Sequence, residues 1–168
     1  DTLNLGEGAA AMDTVVLQQG ASGATYYDYI NNFDVTSTGG IAANNDRLDV
    51  RSNNIAASTA GYVNGTDAGT VMSHSIGAGG IVTFGSTNTG TPLAVTPTNL
   101  ADALSYLRTN LTHPGETVAF AADTDGVGGN DALFVYQNAQ GWDIVARLDG
   151  IPTATLGTPT AEGPKPIT

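Results

Sequence analysis

The sequence predicts a mainly β protein, either a β-sandwich or a β-roll-capping domain, with one amphipathic helix. Three observations predict it. Short segments rich in β-branched and aromatic residues recur along the chain, among them Thr14–Leu17, Val71–Ile76 and Leu133–Tyr136. Runs of Gly, Asn, Ser and Thr separate them. Only Thr96–Leu111 carries an apolar stripe at helical spacing.

The bulk properties narrow the function. A chain of 168 residues with 40% hydrophobic content suits one domain with a real core. That domain is expected over residues 1–151, with a flexible Pro- and Thr-rich tail over 152–168. A net charge of −11 with only five Lys and Arg repels nucleic acid and anionic membranes and favours divalent cations. The absence of Cys excludes a disulfide framework and a thiolate metal site. No apolar run approaches a membrane span, so membrane insertion by a helix is not expected. The chain opens on Asp1 with Leu3 and Leu5 already alternating, so Asp1 is expected to be a cut point in a longer protein.

In order, Leu3 and Leu5 predict a first strand, Gly6 and Gly8 a turn, and Asp13–Leu17 a second strand. Thr25–Val35, with Tyr27, Tyr29 and Phe33, predicts a strand and its exit. Arg47–Val50 is short and places Leu48 and Val50 on one face. Gly61–Val63, Val71–Ile76 and Gly80–Phe84 predict three short strands, with a hairpin-type turn at Asn64-Gly65. His74 falls in an alternating segment and reads as a strand-face residue. Asn64-Gly-Thr66 and Asn110-Leu-Thr112 match the glycosylation acceptor pattern, which a Thr- and Asn-rich chain meets readily by chance.

Thr96 can cap the helix and Pro97 suits its first turn. Leu100, Ala103, Leu104, Leu107 and Leu111 form the stripe, and Pro114-Gly115 ends the element. The stripe is expected to pack on a sheet. Glu116–Ala121 predicts a strand, and Ala132–Asp149 a β-hairpin in which Ile144, Ala146 and Leu148 share a face.

Between these strands lies the most informative stretch, Asp123-Thr-Asp-Gly-Val-Gly-Gly-Asn-Asp131. Asp123, Asp125, Asn130 and Asp131 concentrate hard oxygen donors on a loop whose glycines let the backbone fold back. Ca²⁺ takes six to eight such oxygens, so calcium is the expected ion, with the Val127 carbonyl as a further donor. The competing reading is an acidic turn, because Asp, Asn and Gly are the commonest turn formers. The start resembles an EF-hand loop, but no Glu closes it at the required distance.

Catalysis is not expected. The chain lacks a Gly-x-Ser-x-Gly elbow, and its two His residues, His74 and His113, have no metal-ligand spacing. Tyr106, Tyr136 and Trp142 offer stacking surfaces for an alternative reading as a carbohydrate-binding module.

Three segments together resemble a known family. Residues 2–17 resemble the last turn of a glycine- and aspartate-rich repeat with its closing strand. Asp28-Tyr-Ile-Asn-Asn-Phe33 followed by Asn45-Asp-Arg-Leu-Asp-Val50 resembles the signature D-x-I-x-D-F … D-K-I-D-L, with Asn32 in place of an Asp. Asp123–Val135 with Asp143–Ile151 resembles the final D-x-x-G-D-G … D-x-x-I-x-L-x-G hairpin. Tandem Gly-Gly-x-Gly-x-Asp repeats are absent. The resemblance is to the C-terminal domain of RTX-type proteins exported by type I secretion: surface-layer proteins, RTX adhesins and serralysin-like proteases. It implies a non-enzymatic, calcium-dependent β module on a secreted bacterial cell-surface protein. Its partners would be Ca²⁺, the rest of the parent chain, the type I secretion machinery and neighbouring copies in a surface lattice. It also implies a second ion site near Asp13 and Asp28. The noncatalytic end of a serralysin-like protease is the alternative parent.

Overall fold

A computed structural model describes residues 1–6, 12–17, 26–35, 46–50, 54–139, 143–152 and 165–166. The strands are β1 (Thr2–Asn4), β2 (Thr14–Val16), β3 (Asp28–Asn31), β4 (Arg47–Asp49), β5 (Asn54–Ile55), β6 (Val63–Ala68), β7 (Val71–Ile76), β8 (Val82–Gly85) and β9 (Pro92–Leu93). Helix α1 (Leu100–Asn110) follows, then β10 (Glu116–Ala122), β11 (Ala132–Gln137), β12 (Ile144–Asp149) and β13 (Lys165–Pro166). The protein is therefore mainly β with a single α-helix among the described residues, a sandwich of the kind the sequence predicts.

The organising layer is a six-stranded sheet in the order β1-β3-β12-β11-β10-β5. Its centre is the expected hairpin, β11 antiparallel to β12, with Ala132 opposite Asp149 and Gln137 opposite Ile144. Every residue of β11 is buried. That explains why Ala-Leu-Phe-Val-Tyr-Gln reads as a continuous run rather than an alternation: both of its faces are covered. On one face, Leu133, Val135, Ile144, Ala146 and Leu148 pack with Val15 and Leu48 of a three-stranded sheet, order β13-β4-β2, and with Leu17 and Val50 just past its strands. On the other, Val118, Phe120, Phe134 and Tyr136 pack with Phe84 and Val82 of a four-stranded sheet, order β6-β7-β8-β9, and with Leu104 and Leu107 of α1. The sandwich thus has a third layer, which the periodicity of single segments does not reveal.

The first four strands alternate between layers. β1 and β3 join the large sheet, side by side and parallel, while β2 and β4 are parallel neighbours in the small one. The chain makes two stacked rungs of a coil, β1–β2 and β3–β4. Asp46 fastens them: fully buried, its Oδ1 accepts from Asp13 N–H at 2.9 Å and its Oδ2 from Asp34 N–H at 2.8 Å.

Several expectations need correction. The helix starts at Leu100 with Asn99 at its N-cap, not Thr96. Thr96 instead opens a tight turn, in which its N–H donates to Asn99 Oδ1 at 2.8 Å and its carbonyl accepts from Leu100 N–H at 3.0 Å. Asn64-Gly65 is not a hairpin turn but lies within β6. The reversal falls at Gly69-Thr70, between the paired residues Ala68 and Val71, and Gly69 takes a φ of 54° there. Gly65 is needed for another reason: a Cβ would run into Tyr106 and Asn110 of α1. Of the stretch expected as a tail, Lys165–Pro166 pairs with β4 as β13. The loops expected at 18–24 and 36–45, the turn at Gly141 and Trp142 lie outside the described residues.

Candidate metal centre

The acidic loop joins β10 to β11 in the middle of the large sheet, so a rigid ladder sets both of its ends. Just outside that ladder, Asp131 N–H donates to the Ala122 carbonyl at 3.0 Å. Asp123 N–H donates to the Val95 carbonyl at 2.9 Å, tying the loop to the segment ahead of α1.

Within the loop the chain turns its own N–H groups onto its carboxylates. Buried Asp123 accepts from Gly126 N–H at 2.7 Å through Oδ1 and from Gly128 N–H at 3.1 Å through Oδ2. Asp125 Oδ1 accepts from Val127 N–H at 3.0 Å. Asp131 Oδ1 accepts from Thr124 N–H at 2.9 Å and from the Thr124 hydroxyl at 2.7 Å. Gly126 and Gly128, at φ 75° and 96°, make this curl accessible. The outcome is three carboxylates that each bring one oxygen within 4.8 Å of the others. Among the described residues it is the one group of three or more acidic, His or Cys side chains close enough to hold a metal ion.

The geometry suits a hard cation. Oxygens that share one metal ion at about 2.0–2.6 Å lie no more than about 5 Å apart across it, a limit that this group meets. Each carboxylate oxygen has two lone pairs, so the N–H bonds to Asp123 leave acceptor capacity on both of its oxygens.

A basic residue stands behind the group. Arg147 of β12 donates through Nη2 to the Thr124 hydroxyl at 2.7 Å and through Nε to Asp149 at 2.5 Å, with its guanidinium 5.0 Å from the centre of the Tyr29 ring. Partial desolvation opposes ionisation of Asp131, but the Thr124 hydrogen bonds and the charge of Arg147 outweigh it. The carboxyl sits below its ordinary value. Neither Thr124 nor Arg147 was predicted as part of the site. The signal was the alternation of β12, which puts Arg147 on the face opposite Ile144, Ala146 and Leu148.

The other predicted residues are placed as follows. Val127 is 83% exposed, at the tip of the loop. Asn130 is exposed and borders a cleft beside Ile81, Leu93 and Ala121. Asp13 lies at the entry to β2, with its N–H on Asp46. Asp28 begins β3, and its Oδ1 accepts from the Asp1 ammonium at 2.9 Å. Neither Asp13 nor Asp28 joins a cluster of three acidic groups among the described residues. Tyr106 and Tyr136 are buried, at 0% and 1% exposure, so neither offers a sugar a stacking face. His74 is a buried strand residue, and exposed His113 pairs with Glu116 at 3.2 Å.

Comparison with models of known families, with curated proteins and with solved structures gave no match to this chain.

Proposed function

We propose that this chain is a non-enzymatic, calcium-binding module from the C-terminal part of a secreted bacterial surface protein of the surface-layer or RTX-adhesin kind. Calcium would be held by Asp123, Asp125 and Asp131, with the Asn130 amide and the Val127 carbonyl as further oxygens. The observation that carries the reading is the convergence of three carboxylates on a loop anchored to the central sheet. An all-oxygen donor set with one buried carboxylate and an exposed glycine-rich rim favours a hard divalent ion over a soft one.

Two features support the wider assignment. A chain of net charge −11 is relieved by a bound cation, so ion binding would add to folding free energy. The rungs β1–β2 and β3–β4 also have the form of the end of a parallel β-roll. In this reading the module closes the roll and folds when it meets extracellular calcium.

Thermal unfolding in millimolar Ca²⁺, in Mg²⁺ and in excess chelator tests the proposal. At a calcium concentration 100 times the Kd, binding adds about 2.7 kcal/mol, a rise of several degrees in Tm. Asp125→Ala is expected to remove that rise while leaving the chelated Tm near wild type, because Asp125 is exposed and anchors only the Val127 N–H. Identical midpoints in Ca²⁺ and chelator would reduce the loop to an acidic turn.

A further inference from the structure

α1 packs against β6 and touches β7, and at that junction sits a histidine that no ion-binding role uses. His74 projects from β7 with only 8% exposure, flanked in the sheet by Val63 and Phe84. Its Nδ1 lies 3.0 Å from the hydroxyl of Tyr106, a fully buried α1 residue, and the two rings meet edge to face at 5.5 Å. The same hydroxyl lies 3.5 Å from the Met72 carbonyl.

These contacts define two hydrogen-bonding states. With a neutral ring, the Tyr106 hydroxyl can donate to Nδ1. With a protonated ring, Nδ1 donates to the hydroxyl and the hydroxyl turns its hydrogen towards Met72. A positive charge is then held at 8% exposure between Val63 and Phe84, with no carboxylate among its described hydrogen-bond partners. We propose that His74 is a proton-operated latch: neutral, it holds α1 to the β6–β7 hairpin, and on gaining a proton it loosens that contact.

The surroundings favour the neutral state. Among the described residues, the charged groups on the packed elements are Asp67 on β6 and Asp102 and Arg108 on α1; β7 and β8 contribute none. Asp102 accepts from Thr70 N–H at 3.1 Å, and Arg108 lies 3.8 Å from Asp143. Burial pushes His74 below its ordinary value. Burial, and then the charge of Asp67, pushes Tyr106 up to about 12, so it stays a neutral phenol. The sign follows. The unfolded ring gains its proton near pH ~6.5 and the folded ring only lower, so stability is complete above that value and falls as pH drops towards the folded one.

Hydrogen exchange at saturating calcium, from about pH 7.5 to about pH 5, tests the latch in a window where ordinary carboxylates stay ionised. After correction for intrinsic rates, opening of 63–76 and 100–110 is expected to rise by up to ~10-fold per pH unit below about 6.5. His74→Gln should flatten that rise, whereas His113→Gln should not. A rise that persists in His74→Gln, or a flat wild-type profile, overturns the proposal. Should His74→Gln fail to fold, an NMR titration of the wild-type imidazole decides: a midpoint at or above the ordinary histidine value overturns it.

Discussion

Asp46 shows how much one side chain can carry without being part of a site. Its two oxygens satisfy the N–H groups of Asp13 and Asp34, which belong to different rungs, and water reaches neither oxygen. Asp46→Ala would leave both donors short of a partner and is expected to cost about 2–4 kcal/mol in urea unfolding. Asp46→Asn, which keeps one acceptor oxygen, should cost less; equal losses for both would contradict this account. Nothing near Asp46 in sequence announces the role, because both donors are supplied by chain that returns from elsewhere. The carboxylates of the acidic loop were legible for the opposite reason: Asp123, Asp125 and Asp131 sit within one turn-forming segment whose residue types state the chemistry directly. Arg147 and Thr124 fall between these cases. Each is visible in the sequence, but their meeting depends on β12 lying beside β3 and near the loop.

The helix and the β6–β7 hairpin form the clearest working pair of elements. Asn110, in the last turn of α1, accepts from Thr66 N–H at 2.7 Å and donates to the Thr66 carbonyl at 3.0 Å. A side-chain amide thus does for β6 what a neighbouring strand would do. It also occupies the Asn of one glycosylation acceptor match, and a glycan on Nδ2 would take one of the two hydrogens that this nitrogen donates to the Thr66 and Tyr106 carbonyls. Asn110→Ala is expected to cost about 1–2 kcal/mol by thermal or urea unfolding and to loosen β6 before the central sheet. Exchange protection of β6 unchanged in that variant would refute it. The apolar stripe from Leu100 to Leu111 made the helix itself legible, because helical spacing is a local property. Its start was misplaced because a turn from Thr96 to Asn99 comes first: Asn99 stands at the N-cap position, and its Oδ1 accepts from Thr96 N–H rather than from the helix. The Asn64-Gly65 error has the same origin: the dipeptide favours a turn, but the approach of α1 requires Gly65 inside a strand.

At the scale of the whole molecule, a line of aromatic rings ties the central sheet to the four-stranded one. Tyr27 meets Phe134 at 5.1 Å, Phe134 stacks on Phe120 at 5.3 Å, and Phe120 meets Phe84 at 5.2 Å, edge to face. Phe120 sits where the central sheet meets the four-stranded sheet and is fully buried, so Phe120→Ala should cost about 3–5 kcal/mol. A loss below about 1 kcal/mol in urea would mean that the interface closes over the gap. The hairpin and the single helix were readable from local pattern, whereas the third layer was not, since no segment records which of its two buried faces meets which partner. The parallel register of β3 on β12 sets Asp28 opposite Ala146. As the chain leaves a ribosome, the early strands therefore travel without the neighbour that completes their sheet. They must wait until β12 has emerged. Closure over so long a separation is slow, so the first strands are the last to gain their full set of neighbours.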